Sequence, residues 1–208
     1  MGVNMIGFCI SDDEVCCQAS RDEIIRRYYT ATNKLADGAC NENEVNKILM
    51  LFNQAKITTA DRKTTVAANE RKQLTGQPAS AMELEDGTII TAKTTELLGC
   101  SAALILNVIK YLAGIDHDVK LIPQSLIEPI QKTKIEYLCG NNPRLHTDEV
   151  LVALSVLSQH DDQCRRALEQ LPHLRGCQVH TTIMLGEVDR KIFKKLGCDL
   201  TCDPIKKK

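Results

Sequence analysis

Tryptophan is absent from the 208 residues, and aromatic side chains make up only 3% of them. Too few rings remain to build the stacking platforms that hold single-stranded nucleic acid. A surplus of either charge is also missing, since 26 basic and 27 acidic residues leave a net charge of −1. Without a basic excess to neutralise phosphates, nucleic acid is not an expected partner. The lysines Lys206 to Lys208 read as a solvated tail. No apolar run reaches the roughly 18 residues of a membrane span, so no membrane partner is expected. Met1 to Ile10 carries neither a positive n-region nor a long apolar stretch, so no secretory leader is expected there. The ten cysteines are then expected to be reduced thiols of a cytoplasmic protein, mostly serving as small buried hydrophobes.

What is present concentrates between Asp86 and Ile115. Asp86-Gly87 between β-patterned runs is a hairpin signal. Lys93-Thr94-Thr95 and Gly99-Cys100-Ser101 form a polar junction, and a helix over 101–113 follows. From Ala102 to Ala113 only Asn107 and Lys110 interrupt its apolar surface. A helix that apolar belongs inside a layered domain, and its N-terminus is a place where an anion is favoured.

The first third reads as helical. Ser20-Arg-Asp-Glu23 has capping-box spacing, followed by Ile24, Tyr28, Ala31 and Leu35 on one face and Gly38 as a stop. Val45, Ile48, Leu49 and Phe52 mark a second helix. A third, from Thr59 to about Leu74, is poor in large apolar residues and is expected at an edge or against a partner. Gln77-Pro78 marks a boundary. Strands are predicted over 79–84, 88–91, 119–122, 178–185 and 199–202, with helices over 124–137, from the Thr147 cap onward, over 161–171 and over 188–196. These alternations give an α/β fold with a helical domain at 1–76 and an α/β domain at 77–208.

The block from Asp86 to Ile115 occurs together with Met1-Gly-Val-Asn-Met5, Asp12-Asp-Glu14, Glu23-Ile-Ile-Arg-Arg-Tyr-Tyr29, Asn142-Pro-Arg-Leu-His-Thr-Asp-Glu-Val150, Leu174-Arg-Gly-Cys177 and Leu200-Thr-Cys202. In this order these motifs closely resemble the uncharacterised bacterial family catalogued as domain of unknown function 1846, over essentially the whole chain. The resemblance implies a chain corresponding to the C-terminal portion of proteins more than twice as long. Their N-terminal part carries a glycine-rich, Gly-Ser-Gly-Lys-type loop that suggests nucleotide binding, and nothing here corresponds to it. It also implies a small helical domain followed by a three-layer α/β/α domain of cytidine-deaminase-like topology.

Several clusters invite chemistry. Gly87 to Thr94 has nearly P-loop spacing, but Ala92 stands where the second glycine belongs. The intervening Thr-Ile-Ile-Thr is strand-like rather than a phosphate loop. A zinc deaminase needs a catalytic Glu after its first ligand and a Pro-Cys-x-x-Cys. Here the first position reads Cys100-Ser101-Ala102, and neither the Pro-Cys-x-x-Cys nor a protease His-Glu-x-x-His occurs. Cys177 and His180, with Cys198 and Cys202 beyond, could form a Cys/His zinc site. Positions 177 and 180 of one strand point to opposite faces, however, so no metal or other cofactor is expected.

Lys93, Thr94 and Ser101 could hold a phosphate or carboxylate at the helix N-terminus, with Asn107 and Lys110 on one face of that helix. Arg144, His146, Asp148 and Glu149 lead into a later helix. There Arg144 could clamp an anion and His146 act as acid or base, or the group could be an internal network capped by Thr147. The expectation is a ligand-binding or assembly module, within a larger nucleotide-dependent protein, for a small anionic metabolite. A homo-oligomer, or association with the missing N-terminal part, is plausible. The alternatives are an enzyme acting on a small phosphorylated or carboxylated metabolite through Lys93, Ser101, Arg144 and His146, and the zinc protein.

Overall fold

A computed structural model describes residues 13–206. The Met1–Met5 motif, Asp12, and the tail residues Lys207 and Lys208 lie outside the described residues. The helices are α1 (Asp13–Ala36), α2 (Glu42–Ala55), α3 (Lys63–Thr75), α4 (Cys100–Leu112), α5 (Gln124–Lys132), α6 (Thr147–Leu157), α7 (Asp162–Leu168) and α8 (Glu187–Leu196). The strands are β1 (Ala79–Glu83), β2 (Ile89–Lys93), β3 (Gln178–Thr181) and β4 (Asp199–Cys202). They form a mixed sheet in the order β2-β1-β3-β4, with β1 antiparallel to both neighbours and β3 parallel to β4.

The hairpin between β1 and β2 forms as the sequence predicts. Gly87 supplies the positive φ of 81°, Leu84 and Thr88 close the loop through their backbone, and Asp86 Oδ1 accepts the Thr88 N–H. Strand pleating then gives the sheet two unlike faces. Met82, Ala92, Val179 and Cys202 face an apolar core built with Leu104, Ile105, Val108 and Ile109 of α4, Leu154 of α6 and Phe193 of α8. Ala79, Ala81, His180 and Thr201 lie on the other face, against α1 and α3.

The chain departs from its sequence reading at five places. Helix α3 lies across β1, β2 and β3 rather than at an edge. Its buried residues are Thr64, Thr65 and Ala68, and small residues suffice because Ala79 and Ala81 let the backbones approach. Ser20 is inside α1, where its hydroxyl bonds back to the Cys16 carbonyl at 2.8 Å, while Glu23 pairs with Arg26 and Arg27. No strand forms over 119–122. The Val119 carbonyl accepts from Lys110 Nζ at 3.1 Å and that of Leu121 from Cys164 Sγ, so neither joins a ladder. The helix from Gln124 gives way to a π-turn over Thr133–Tyr137, where the Thr133 hydroxyl takes the Pro129 carbonyl. Finally, β3 ends at Thr181, because Thr182 turns to accept the Ala79 N–H and Thr181 Oγ1 donates to the Ile183 carbonyl.

Candidate anion-binding cleft

The parallel pair β3 and β4 defines a sheet end, and ligand crevices of open α/β sheets lie outside the carboxyl ends of such strands. A cleft of about 450 Å³ opens there, walled by Gly99, Cys100 and Ser101, by Asn142 and His146, by Ile183 to Gly186, and by Asp189. Asp37 at the end of α1 and Lys206 of the tail, 3.3 Å apart, stand at its rim.

Three helices start at this cleft. Their N-cap residues are Gly99 for α4, His146 for α6 and Gly186 for α8, and none provides a side-chain cap. Helix α7 shows the contrast, since Asp161 accepts from the Gln163 and Cys164 N–H groups. Glycine at an N-cap brings no side chain to bond the first turn and lets a ligand approach the backbone. Ser101, only 2% exposed, adds a hydroxyl to the wall.

The start of α6 is satisfied from outside. Asp189, in the first turn of α8 and 5% exposed, accepts the Thr147 N–H at 2.9 Å, the Thr147 hydroxyl at 2.8 Å and His146 Nδ1 at 3.2 Å. Burial pushes the Asp189 carboxyl up. The bonds from His146 and Thr147 outweigh it, and the carboxyl is held below its ordinary value. Glu149 takes the His146 N–H at 2.7 Å and pairs with Lys134 at 2.7 Å. His146 is thus the N-cap residue and Thr147 the first helical one, which corrects the expectation that Thr147 caps the helix.

Of the sequence candidates, Ser101 and His146 meet in the cleft, and the others lie elsewhere. Lys93 and Asn107 border a separate cavity of about 420 Å³ with Lys110. There Asn107 Nδ2 donates to the Thr91 carbonyl at 3.1 Å. Lys110 Nζ is held by the His117 and Val119 carbonyls, and burial pulls its ammonium below the ordinary range against the nearby Asp118 and Asp116. Thr94 is buried, with its N–H on the Pro78 carbonyl. Arg144 spends its Nε on the Thr95 carbonyl at 2.7 Å. Asp148 borders an apolar groove of about 730 Å³ between α5 and α6. The zinc alternative fails on the pleat, as Cys177 and Cys202 belong to the α4-side core while His180 lies on the other face, against Tyr29. Cys198 donates to the Leu174 carbonyl, and burial pushes its thiol up to about 12.

Asp189 and Gly186 were not singled out in the sequence, whereas Gly99 belongs to the polar junction read there. Gly186 ahead of Glu187-Val-Asp189 is a legible helix start, yet nothing in it announces a partner 43 residues earlier.

A second concavity, of about 720 Å³, lies at the opposite end of β3. In its wall Lys63 pairs with Glu83 at 2.7 Å, and the Gln178 amide donates to Asp22 at 3.0 Å.

Comparison with known proteins places residues 60–208 in the C-terminal "Domain of unknown function DUF1846" and residues 1–56 in its N-terminal counterpart. The chain therefore includes a piece of both parts, which corrects the expectation of a C-terminal portion alone. It is 50% identical over 98% of its length to the UPF0371 protein cu0538 of Corynebacterium urealyticum, 47% to DIP2346 of Corynebacterium diphtheriae, and 45% to a UPF0371 protein of Streptococcus pneumoniae. It spans 41% of the length of each of these relatives. Among the described residues, no helix is long and apolar enough to cross a membrane.

Proposed function

The chain belongs to the DUF1846 family, and from that premise we propose that it is a ligand-binding module whose cleft takes a small anionic metabolite. One observation carries this reading: two glycine-capped helix starts, the buried Ser101 hydroxyl and His146 all border one cleft at the carboxyl ends of β3 and β4. Helix starts and a hydroxyl bordering one cleft suit an anion without a basic patch, in keeping with a net charge of −1.

The deaminase-like topology stays part of the proposal, supported by the hairpin followed directly by a helix packed on it. Its chemistry does not, because the position of the catalytic glutamate is Ala102. A cytoplasmic setting, a nucleotide-dependent role for the longer relatives and a helical unit preceding the α/β unit belong to the same proposal. The packing of α3 on the sheet favours placing the helical boundary before α3 rather than at residue 76.

Differential scanning fluorimetry of the 208-residue chain tests the cleft with sulfate, inorganic phosphate, acetate and small phosphorylated metabolites. A concentration-dependent rise in Tm is expected from at least the first two. Gly186→Asp should abolish it without destabilising the fold. Gly186 has the extended backbone of an N-cap, φ −63° and ψ 165°, and an added Cβ meets nothing within 4 Å, so the new carboxylate would cap α8 itself and displace the ligand. A flat Tm with every anion sinks the reading.

An assembly role is the second reading, favoured by the apolar groove along α5 and α6, where Val152 and Val156 are 65% and 61% exposed. Sedimentation velocity across a concentration series, with Val156→Asp as the comparison, decides it.

A further inference from the structure

We propose that the cavity beside β2 is a second binding site, for an amphiphilic organic anion. Arg71 and Lys93 hold its carboxylate or phosphate head, and its aliphatic body lies on Leu97, Leu106 and Ile122. This site goes beyond the proposed function, since it shares no lining residue with the cleft.

The fold supplies both halves of such a site. Strand β2 is an edge of the sheet, and Ala92 and Lys93 at its end border the cavity. Helix α3 packs on β2, and Ala79, just beyond that helix, pairs with Lys93. Arg71, near the end of α3, and Lys93 thus reach the cavity from adjoining elements. Leu97, Leu106 and Ile122 border it while packing against the main core, so part of the wall is a fixed apolar surface. No Phe, Tyr or Trp lines it among the described residues, which suits an aliphatic body better than a flat ring. Its volume of about 420 Å³ is that of a small-molecule site.

The charges of this cavity do not balance. Arg71, Lys93, Lys110 and Lys120 border it against one acid, Asp118. Asp118 is 99% exposed and lies 3.5 Å from His117. None of the four cations makes an ion pair among the described residues. The lysines of the two concavities described above are paired, Lys63 with Glu83 and Lys206 with Asp37, and acids and bases nearly cancel over the whole chain. Lys110 is only 8% exposed. Its Nζ donates to the His117 carbonyl at 2.6 Å and the Val119 carbonyl at 3.1 Å. Carbonyls hold an ammonium without neutralising it, and a buried lysine is ordinarily paired. An anion in the cavity would add that countercharge. Arg71 Nε is buried and has no hydrogen-bond partner among the described residues. A buried donor without an acceptor costs free energy that a ligand oxygen would recover.

Calorimetry of the 208-residue chain with octanoate and octyl phosphate tests the site, and the tighter of the two names the head. That ligand should bind at least about tenfold more tightly than butyrate, because a buried methylene is worth about fourfold. It should also bind at least about tenfold more tightly than 1-octanol, which lacks the charge. Lys93→Glu should weaken it at least about tenfold with Tm unchanged. Arg71→Gln should weaken it about fivefold, and Lys120→Glu, on an exposed residue, about threefold. Amide shifts in 15N–1H spectra should centre on residues 92–95 and 106–110. Gly186→Asp, which closes the cleft, should leave this binding unchanged. Octanol binding as tightly as the anions, or anion binding unaltered in Lys93→Glu, overturns the inference. If Gly186→Asp abolishes the binding instead, the amphiphile sits in the cleft; this inference then fails and the proposed function stands. The same holds if neither amphiphile binds while sulfate still raises Tm. Amphiphile binding without any sulfate response would remove the proposed function alone.

Discussion

His180 and His146 each pair with an aspartate distant in the sequence, and the two pairs sit in unlike surroundings. His180, on β3, is completely buried, with Nδ1 2.9 Å from the Thr201 hydroxyl, Nε2 3.4 Å from Asp203, and its ring 4.9 Å from that of Tyr29. Around it Arg62, also sealed, binds Asp199 and the Val179 and Asp199 carbonyls. These polar groups join α1 and the start of α3 to the sheet, and they are largely occupied with each other. His146 repeats the pairing with Asp189, and its second nitrogen lies 3.4 Å from the Asn142 amide in the wall of a cleft at which two glycine-capped helices start. The difference is one of surroundings: the His180 pair is sealed and serves as a joint between layers, whereas the His146 pair keeps one third of its imidazole open at the cleft.

The predictions probe that contrast. Arg62→Ala should be the most damaging change, about 3 kcal/mol by urea unfolding, since it empties a sealed site and removes the bonds to the Asp199 carboxylate and to two carbonyls; a loss below about 1 kcal/mol would mean the polar face is not a joint. His180→Ala should lose about 2 kcal/mol while sulfate affinity stays unchanged. Asp189→Asn should lose about 1 kcal/mol near neutral pH, because the Thr147 and His146 bonds to the carboxylate weaken. The sign of its acid behaviour follows from the depressed carboxyl. Its contribution is in place above the ordinary value of 3.8 and is lost as pH falls through the lower folded-state value. The stability gap between wild type and Asp189→Asn should therefore close in acid unfolding below about pH 4. Lys93→Ala should have the smallest effect, under about 0.5 kcal/mol, and leave sulfate binding intact, because Lys93 borders a different cavity. If Lys93→Ala instead abolished anion binding, the cleft would be the wrong site.

Much of the fold was legible because its signals are local. Asp86-Gly87 specifies a turn, and the apolar run after Ala102 specifies a buried helix. The misreadings came from features that local pattern cannot carry. Thr64, Thr65 and Ala68 look too small to anchor a helix until Ala79 and Ala81 are placed opposite them. Val119 to Ile122 has β-like composition, but its carbonyls go to Lys110 and Cys164. At the site, Ser101 and His146 were identifiable by type and by position near helix starts. Lys93, Arg144 and Asp148 share that character and point elsewhere, which only the packing of α4 and α6 reveals.

The sequence by itself determined most of the elements; the charge balance, the scarcity of aromatics and the missing deaminase glutamate likewise follow from residue identity and spacing. Tertiary structure alone decided the cleft. Bringing residues 99, 146, 186 and 189 together depends on how three helices end on one sheet. Such long-range contact arises from the packing of whole faces, and it has no period that a linear pattern could record.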